Sequence, residues 1–150
     1  MARKHPIKPT KEGDPAWYGA RAPSLKEFEA LAEAAYARLP ERFRELCDHL
    51  VIRVEDFATD EVLEEMELES PFDLLGLFTG VGLAHDSATP ETGRLPNTIH
   101  LYRRPILEYW AEHEEELGTI VTHVLVHEIG HHFGLSDDDI ERIEAASETR

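Results

Sequence analysis

His127-Glu128-Ile129-Gly130-His131-His132-Phe133-Gly134-Leu135-Ser136-Asp137 is the stretch on which the reading of this chain turns. It opens with the pattern H-E-x-x-H, which on a helix brings two imidazoles and a carboxylate to one metal-activated water. At about 1.5 Å rise and 3.6 residues per turn, positions four apart share a face roughly 6 Å apart along the axis, so both rings reach one ion. Glu128 stands beside that face, placed to act as a general base and not as a ligand. The short pattern recurs by accident in many helices, where its histidines are simply solvated or packed, and the continuation is what separates this one. Gly134 allows a sharp turn, because glycine adopts the left-handed conformation at a helix end without a Cβ penalty. Asp137 then offers a hard oxygen as third ligand, completing the protein share of a catalytic zinc site and leaving one position open.

Other readings of the same residues compete. Ser136 followed by Asp139 also looks like a helix start, and an Asp in a first turn is favoured by the helix dipole with no metal present. A carboxylate from the last helix is the rival third ligand, Glu148 best placed by spacing and Glu144 or Glu141 behind it, in a thermolysin-like set of two His and one Glu. That arrangement calls for a longer following segment than this chain has. His123 shares the face of His127 but lies about 12 Å along the axis from His131, too far for all three to hold one ion, so it is left a cleft-lining role. His132 points roughly 100° away from His131 and reads as a hydrogen-bonded core or surface histidine.

Four separated blocks carry a family resemblance: Val54-Glu55-Asp56, Leu74 to Gly80, Leu95 to Ile106, and His127 to Asp137. In this order, over about Val51 to Ile140, the chain resembles the small bacterial zincin-like metallopeptidases, also described as minimal or matrix-metalloprotease-like peptidases. The resemblance implies one zinc ion (Zn) per chain at His127, His131 and Asp137, with Glu128 catalytic. One departure stands out. Metzincins carry a methionine turn beneath the metal, whereas the only methionines here are Met1 and Met66.

Composition bounds the rest. A chain of 150 residues is a natural single domain with one core and no internal repeat. The expected division is a loosely ordered arm over 1–22, containing Arg3, Lys4, Lys8 and Lys11, and a zincin-like domain over 23–150. No apolar run spans a bilayer and no signal-peptide core follows the basic start, so a soluble, cytoplasmic protein is expected. The single Cys47 has no internal disulfide partner, in keeping with a reducing compartment. A formal charge of -16 disfavours nucleic acid, whose phosphates demand a basic surface. Glutamine is absent and Asn97 is the only asparagine, a bias found in thermophiles and also produced by genome composition.

Periodicity predicts an α+β fold, a small mixed sheet covered by helices that include the H-E-x-x-H helix. Ser24 and Glu27 form a capping-box start, and Leu25, Phe28, Leu31, Ala35 and Leu39 keep helical spacing to Pro40. A second helical piece runs to about His49, and Leu50, Ile52 and Val54 then alternate with polar positions as a half-buried strand does. Thr59 to Glu69 reads as a short acidic helix, Leu74 to Leu83 as a strand with a turn, and Ala84 to Pro96 as a mobile loop near the cleft. Thr98 to Arg103 is a second strand, and it or the Leu74 segment is expected to be the edge on which an extended peptide pairs. Pro105 suits the first turn of a helix carrying Ile106, Tyr109, Trp110 and Leu117 until Gly118 breaks it. The motif helix is expected from Thr119, apolar around most of its circumference and therefore buried, with a short final helix from Asp137.

The chemistry expected is zinc-dependent peptide-bond hydrolysis, with Tyr102, His100 or Arg103 as candidate donors to the developing oxyanion. A peptide or protein is the expected substrate, with no nucleic-acid or membrane partner; the sequence is silent on oligomeric state. The principal alternative is a metal-binding regulatory or interaction domain of the same fold that cleaves little, suggested by the missing methionine turn and opposed by the retained Glu128. A second is a zinc-dependent ribonuclease of the small His-rich type, for which a third His and a basic groove are expected in place of Asp137 and this acidic chain.

Overall fold

A computed structural model describes residues 12–47, 49–80 and 96–148. The expectations for the first residues of the arm, for Val81 to Leu83 and for nearly all of the Ala84 to Pro96 loop fall outside these. Helix α1 (Leu25–Ala37) starts where the capping box places it: the Glu27 amide donates to Ser24 Oγ at 3.1 Å and the Ser24 amide to Glu27 Oε1 at 2.9 Å. Its buried face is Phe28, Ala32 and Ala35. Helix α2 (Glu41–Arg44) is a single turn and stops well before His49, which takes a positive φ of 55°. Strand β1 (Val51–Glu55), helix α3 (Asp60–Glu65) capped by Thr59, a 3-10 turn (Pro71–Asp73) and strand β2 (Gly76–Thr79) follow. Strand β3 (Thr98–Tyr102) leads directly into α4 (Arg103–Glu112), and α5 (Leu117–His132) and α6 (Asp137–Glu148) complete the described chain.

The three strands form a mixed sheet in the order β1-β3-β2, with β3 parallel to β1 and antiparallel to β2. This is the predicted α+β architecture, but β3 lies at its centre. Both neighbours occupy its hydrogen-bonding edges, so it cannot accept an added strand, and of the two segments considered for that part β2 is the one at an edge among the described residues. Ile99 and Leu101 point from β3 into the main core, while Tyr102 is buried in a smaller cluster with Ala58, Leu63 and Leu74. Burial on both sides is the mark of a central strand.

Helix α5 is the hub, in contact with α1, α4, α6, β2 and β3. Ile120, Val121, Val124, Leu125, Val126, Ile129 and Gly130 are all buried, each large aliphatic side chain contributing about 1.5–3 kcal/mol relative to exposure. Gly118 does not break a helix; with Leu117 it belongs to the first turn of α5, and its carbonyl accepts from Thr122 Oγ1 at 2.9 Å. Glycine's cost to a helix is the backbone freedom it loses in the interior, and at the second residue of α5 that cost is smaller than in the middle. The break falls instead between Glu112 and Leu117, among Glu114, Glu115 and Glu116. Among the described residues, no helix is long and apolar enough to cross a membrane.

Two glycines fix how α6 meets α5. Gly134, at φ 79°, ends α5 in a paired turn in which its amide donates to the His131 carbonyl at 3.1 Å and the Leu135 amide to the Gly130 carbonyl at 2.9 Å. A Cβ on Gly130 would stand 2.9 Å from Ile140 Cγ1 and 3.0 Å from its Cδ1, so α6 rests on α5 where a side chain is missing. Gly130→Ala should therefore destabilise by about 1–3 kcal/mol through overpacking. Gly134→Ala should cost roughly 1–2 kcal/mol for a different reason, since nothing lies within 4 Å of its Cβ and only the backbone is strained. Thermal or denaturant unfolding separates the two mechanisms: Asn, which tolerates positive φ, should recover much of the loss at 134 and none at 130.

Candidate metal centre

The buried helix α5 has one polar side. His123, His127 and His131 succeed one another along it at four-residue intervals, with ring centroids 3.9 Å apart for the first pair and 5.5 Å for the second. His127 is the most enclosed of the three. Burial holds its pKa below the ordinary imidazole value, reinforced by His123 and opposed by Glu144. A neutral ring keeps a lone pair for a metal.

The turn at Gly134 sends α6 back along this side. Ser136 caps the new helix, its Oγ accepting from the Asp139 amide at 3.1 Å, and Asp137 occupies the first turn. Asp137 and Glu144 are seven residues apart, two helical turns, and so share a face. The result is a row of carboxylates facing a row of imidazoles. Asp137 Oδ1 lies 4.0 Å from His131 Nε2, and Glu144 Oε1 lies 3.6 Å from His127 Nε2 and 2.7 Å from His123 Nδ1.

His127, His131 and Asp137 are thus neighbours in a line that has yet to close around a point. The Asp137 side chain is 84 % exposed and free to swing inward. Their chemistry, two imidazoles and one carboxylate on a rigid helix and the turn that follows it, suits zinc. One donor atom from each of His123, His127 and Glu144 is already gathered, all within 4.8 Å of one another. Of the rival third ligands considered from sequence, Glu144 is the one whose carboxylate lies between two imidazoles, at the spacing of one turn fewer than Glu148. The signal for it was the seven-residue interval from Asp137 together with the short turn at Gly134, which sets the register of the two rows.

Glu128 lies next to His127 on the more buried flank of α5. Burial raises its carboxyl pKa above the ordinary value, with His131 pulling the other way. A carboxylate in that setting is a stronger proton acceptor. Tyr102 feels the same charge: burial, then Glu55, then Glu128 push its phenol up to about 12, so the hydroxyl keeps its proton at neutral pH. His100 and Arg103 are engaged elsewhere. His100 Nδ1 is 3.0 Å from Glu55 Oε1; Arg103 donates to Asp56 Oδ1 at 2.9 Å and to the Pro23 carbonyl at 2.7 Å, tying the approach to α1 to the end of β1. His132 packs with its ring centroid 4.3 Å from that of Phe78 and 5.1 Å from that of Phe133, away from the imidazole row. Met66 ends α3 and is 45 % exposed, while Ile140 is the side chain that underlies Gly130 of the motif.

A family model described as zincin-like metallopeptidase matches residues 47–146, which takes in the whole sheet, α5 and nearly all of α6. No curated protein matches the chain. Because His127 stands where the two rows meet, protein loaded with zinc at neutral pH and freed of excess should carry one ion per chain by elemental analysis, and His127→Ala none. A full equivalent retained by the variant would put the ion elsewhere.

Proposed function

Since the chain belongs to the zincin-like metallopeptidase family, we propose that it is a zinc-dependent peptidase in which His127, His131 and Asp137 hold the ion and Glu128 is the general base. The observation that carries this reading is the arrangement on one buried helix: His127 and His131 lie along its polar side with Asp137 Oδ1 4.0 Å from His131 Nε2, and Glu128 follows His127 directly on the same helix. Zinc at this place supplies Lewis acidity, which polarises a carbonyl and brings the acidity of water toward a pKa of about 7. Every other task falls to the chain. Glu128 takes the proton of the attacking water at its carboxylate and returns it to the departing amide nitrogen, so one group serves as base and then as acid. Tyr102, protonated until about pH 12, is the candidate donor to the oxyanion; His100 and Arg103 already have partners.

An extended substrate would be held by β2, an edge strand among the described residues and one that packs on the motif helix. A Cβ on Gly76 would stand 2.7 Å from Val124 Cγ1, so the absence of a side chain there lets the strand approach α5. Pairing along such an edge uses backbone hydrogen bonds and suits many sequences, which fits a peptide or protein substrate. The formal charge of -16 favours this reading over a ribonuclease, because a phosphate backbone would meet repulsion.

Glu128→Gln is expected to retain zinc and fold while losing hydrolysis by roughly 10²-fold or more, as when a general base is removed. A broad peptide library, incubated with zinc-loaded wild type and variant, provides the measurement. Equal cleavage by both would point to another base or a contaminant. No cleavage by either, with occupancy verified, would favour the metal-binding regulatory domain.

A further inference from the structure

We propose that His123, His127 and Glu144 form a second binding position for a divalent transition-metal ion, overlapping the first because both draw on His127. The three donors lie within 4.8 Å of one another, with separations from Glu144 Oε1 of 2.7 Å and 3.6 Å to the two rings. Ligands at about 2.0–2.2 Å from a tetrahedral zinc are roughly 3.4 Å apart, so small side-chain adjustments close this set around an ion. The carboxylate is already committed to the place. Glu144 Oε1 is buried and makes no hydrogen bond of acceptable geometry despite its two close imidazoles. A buried anionic oxygen without such a bond is costly, and a cation among the three donors would relieve it.

The donor set and the approach to it select the ion. Two imidazoles with one carboxylate suit zinc, cobalt or nickel, whereas calcium and magnesium require oxygen-rich cages. A groove of about 380 Å³ opens onto His123 and Glu144, and its walls include Glu115, Glu116 and Glu148 against a single Arg38. Such a surface concentrates cations at its mouth. Neither His127 nor His131 lines it, so this approach reaches the imidazole row from the His123 end.

An ion held here is displaced toward the start of α5, away from His131 and Asp137. Both positions draw on Nε2 of His127, the atom that faces Glu144, so filling one empties the other. The partition between them then sets the fraction of protein with its ion in the hydrolytic position. This competition rests on His127 being a ligand of the peptidase ion; the existence of the second position does not.

The test is metal binding to a chain whose first position has been removed. His131→Ala with Asp137→Ala deletes two largely exposed side chains, and circular dichroism and thermal unfolding establish that the fold is kept. Titrated with cobalt or zinc, this double variant should still take up one ion per chain, more weakly than wild type. Adding His123→Ala or Glu144→Gln should reduce that affinity at least about tenfold. A folded double variant that binds no ion overturns the proposal, as does binding indifferent to His123 and Glu144. Two ions bound together by wild type at the imidazole row, one lost in His131→Ala with Asp137→Ala and the other in His123→Ala, would overturn the competition between the two positions. Wild type that binds zinc but cleaves no peptide would sink the peptidase reading and leave these binding results standing.

Discussion

The contact between Gly130 and Ile140 governs everything that the polar side of α5 is able to do. Ile140 Cγ1 stands 2.9 Å from where a Cβ on Gly130 would be, so α6 lies closer to α5 than a side chain at position 130 would allow. That depth, with the turn at Gly134, sets which carboxylate stands opposite which imidazole. A shift of α6 by one residue would rotate Asp137 and Glu144 by about 100° out of the row. The pattern H-E-x-x-H is usually read through its fixed residues, yet here a variable position, Gly130, sets how closely α6 approaches them.

The sheet contributes differently. Among the described residues it has three strands, with β3 enclosed by neighbours on both sides, and its work is to press β2 and β3 onto α5 so that the helix is rigid. The bareness of Gly76 against Val124 repeats the device seen at Gly130. At two points the motif helix is approached closely because a side chain is absent, and its imidazoles lie along the side that α6 faces. A metal site needs ligands that do not drift, and burial of the opposite face of α5 would give the candidate centre that constraint.

Much of this was legible in the sequence wherever a local rule sufficed. The Ser24 and Glu27 box, the alternation of β1, the glycine stop at 134 and the start of α6 at Asp137 each depend on a few neighbouring residues. Failures came where the answer lay elsewhere in the chain. Gly118 reads as a break because its place in a helix depends on where that helix starts, and the acidic run before Leu117 offers no clear cap; Glu116 makes no side-chain capping bond. The central place of β3 follows from pairing with strands far away in sequence, to which its own alternation is blind. In the candidate centre, the imidazoles and Glu128 were visible as a motif. Glu144 was visible only as one of several acids in a row, because choosing among them requires the packing depth of α6.

The segment from His123 to Glu144 is continuous, and its two helical arms are joined by a turn of a few residues. Bringing the imidazole and carboxylate rows together therefore closes only a short loop, which carries a small entropic cost and occurs rapidly compared with pairing distant strands. The apolar back of α5, by contrast, waits for α1 and the sheet, whose strands come from residues some fifty apart. The donor rows can thus meet in a chain that is still incompletely packed, so that an ion captured by this hairpin during folding would favour the helix pair against which the remaining structure condenses.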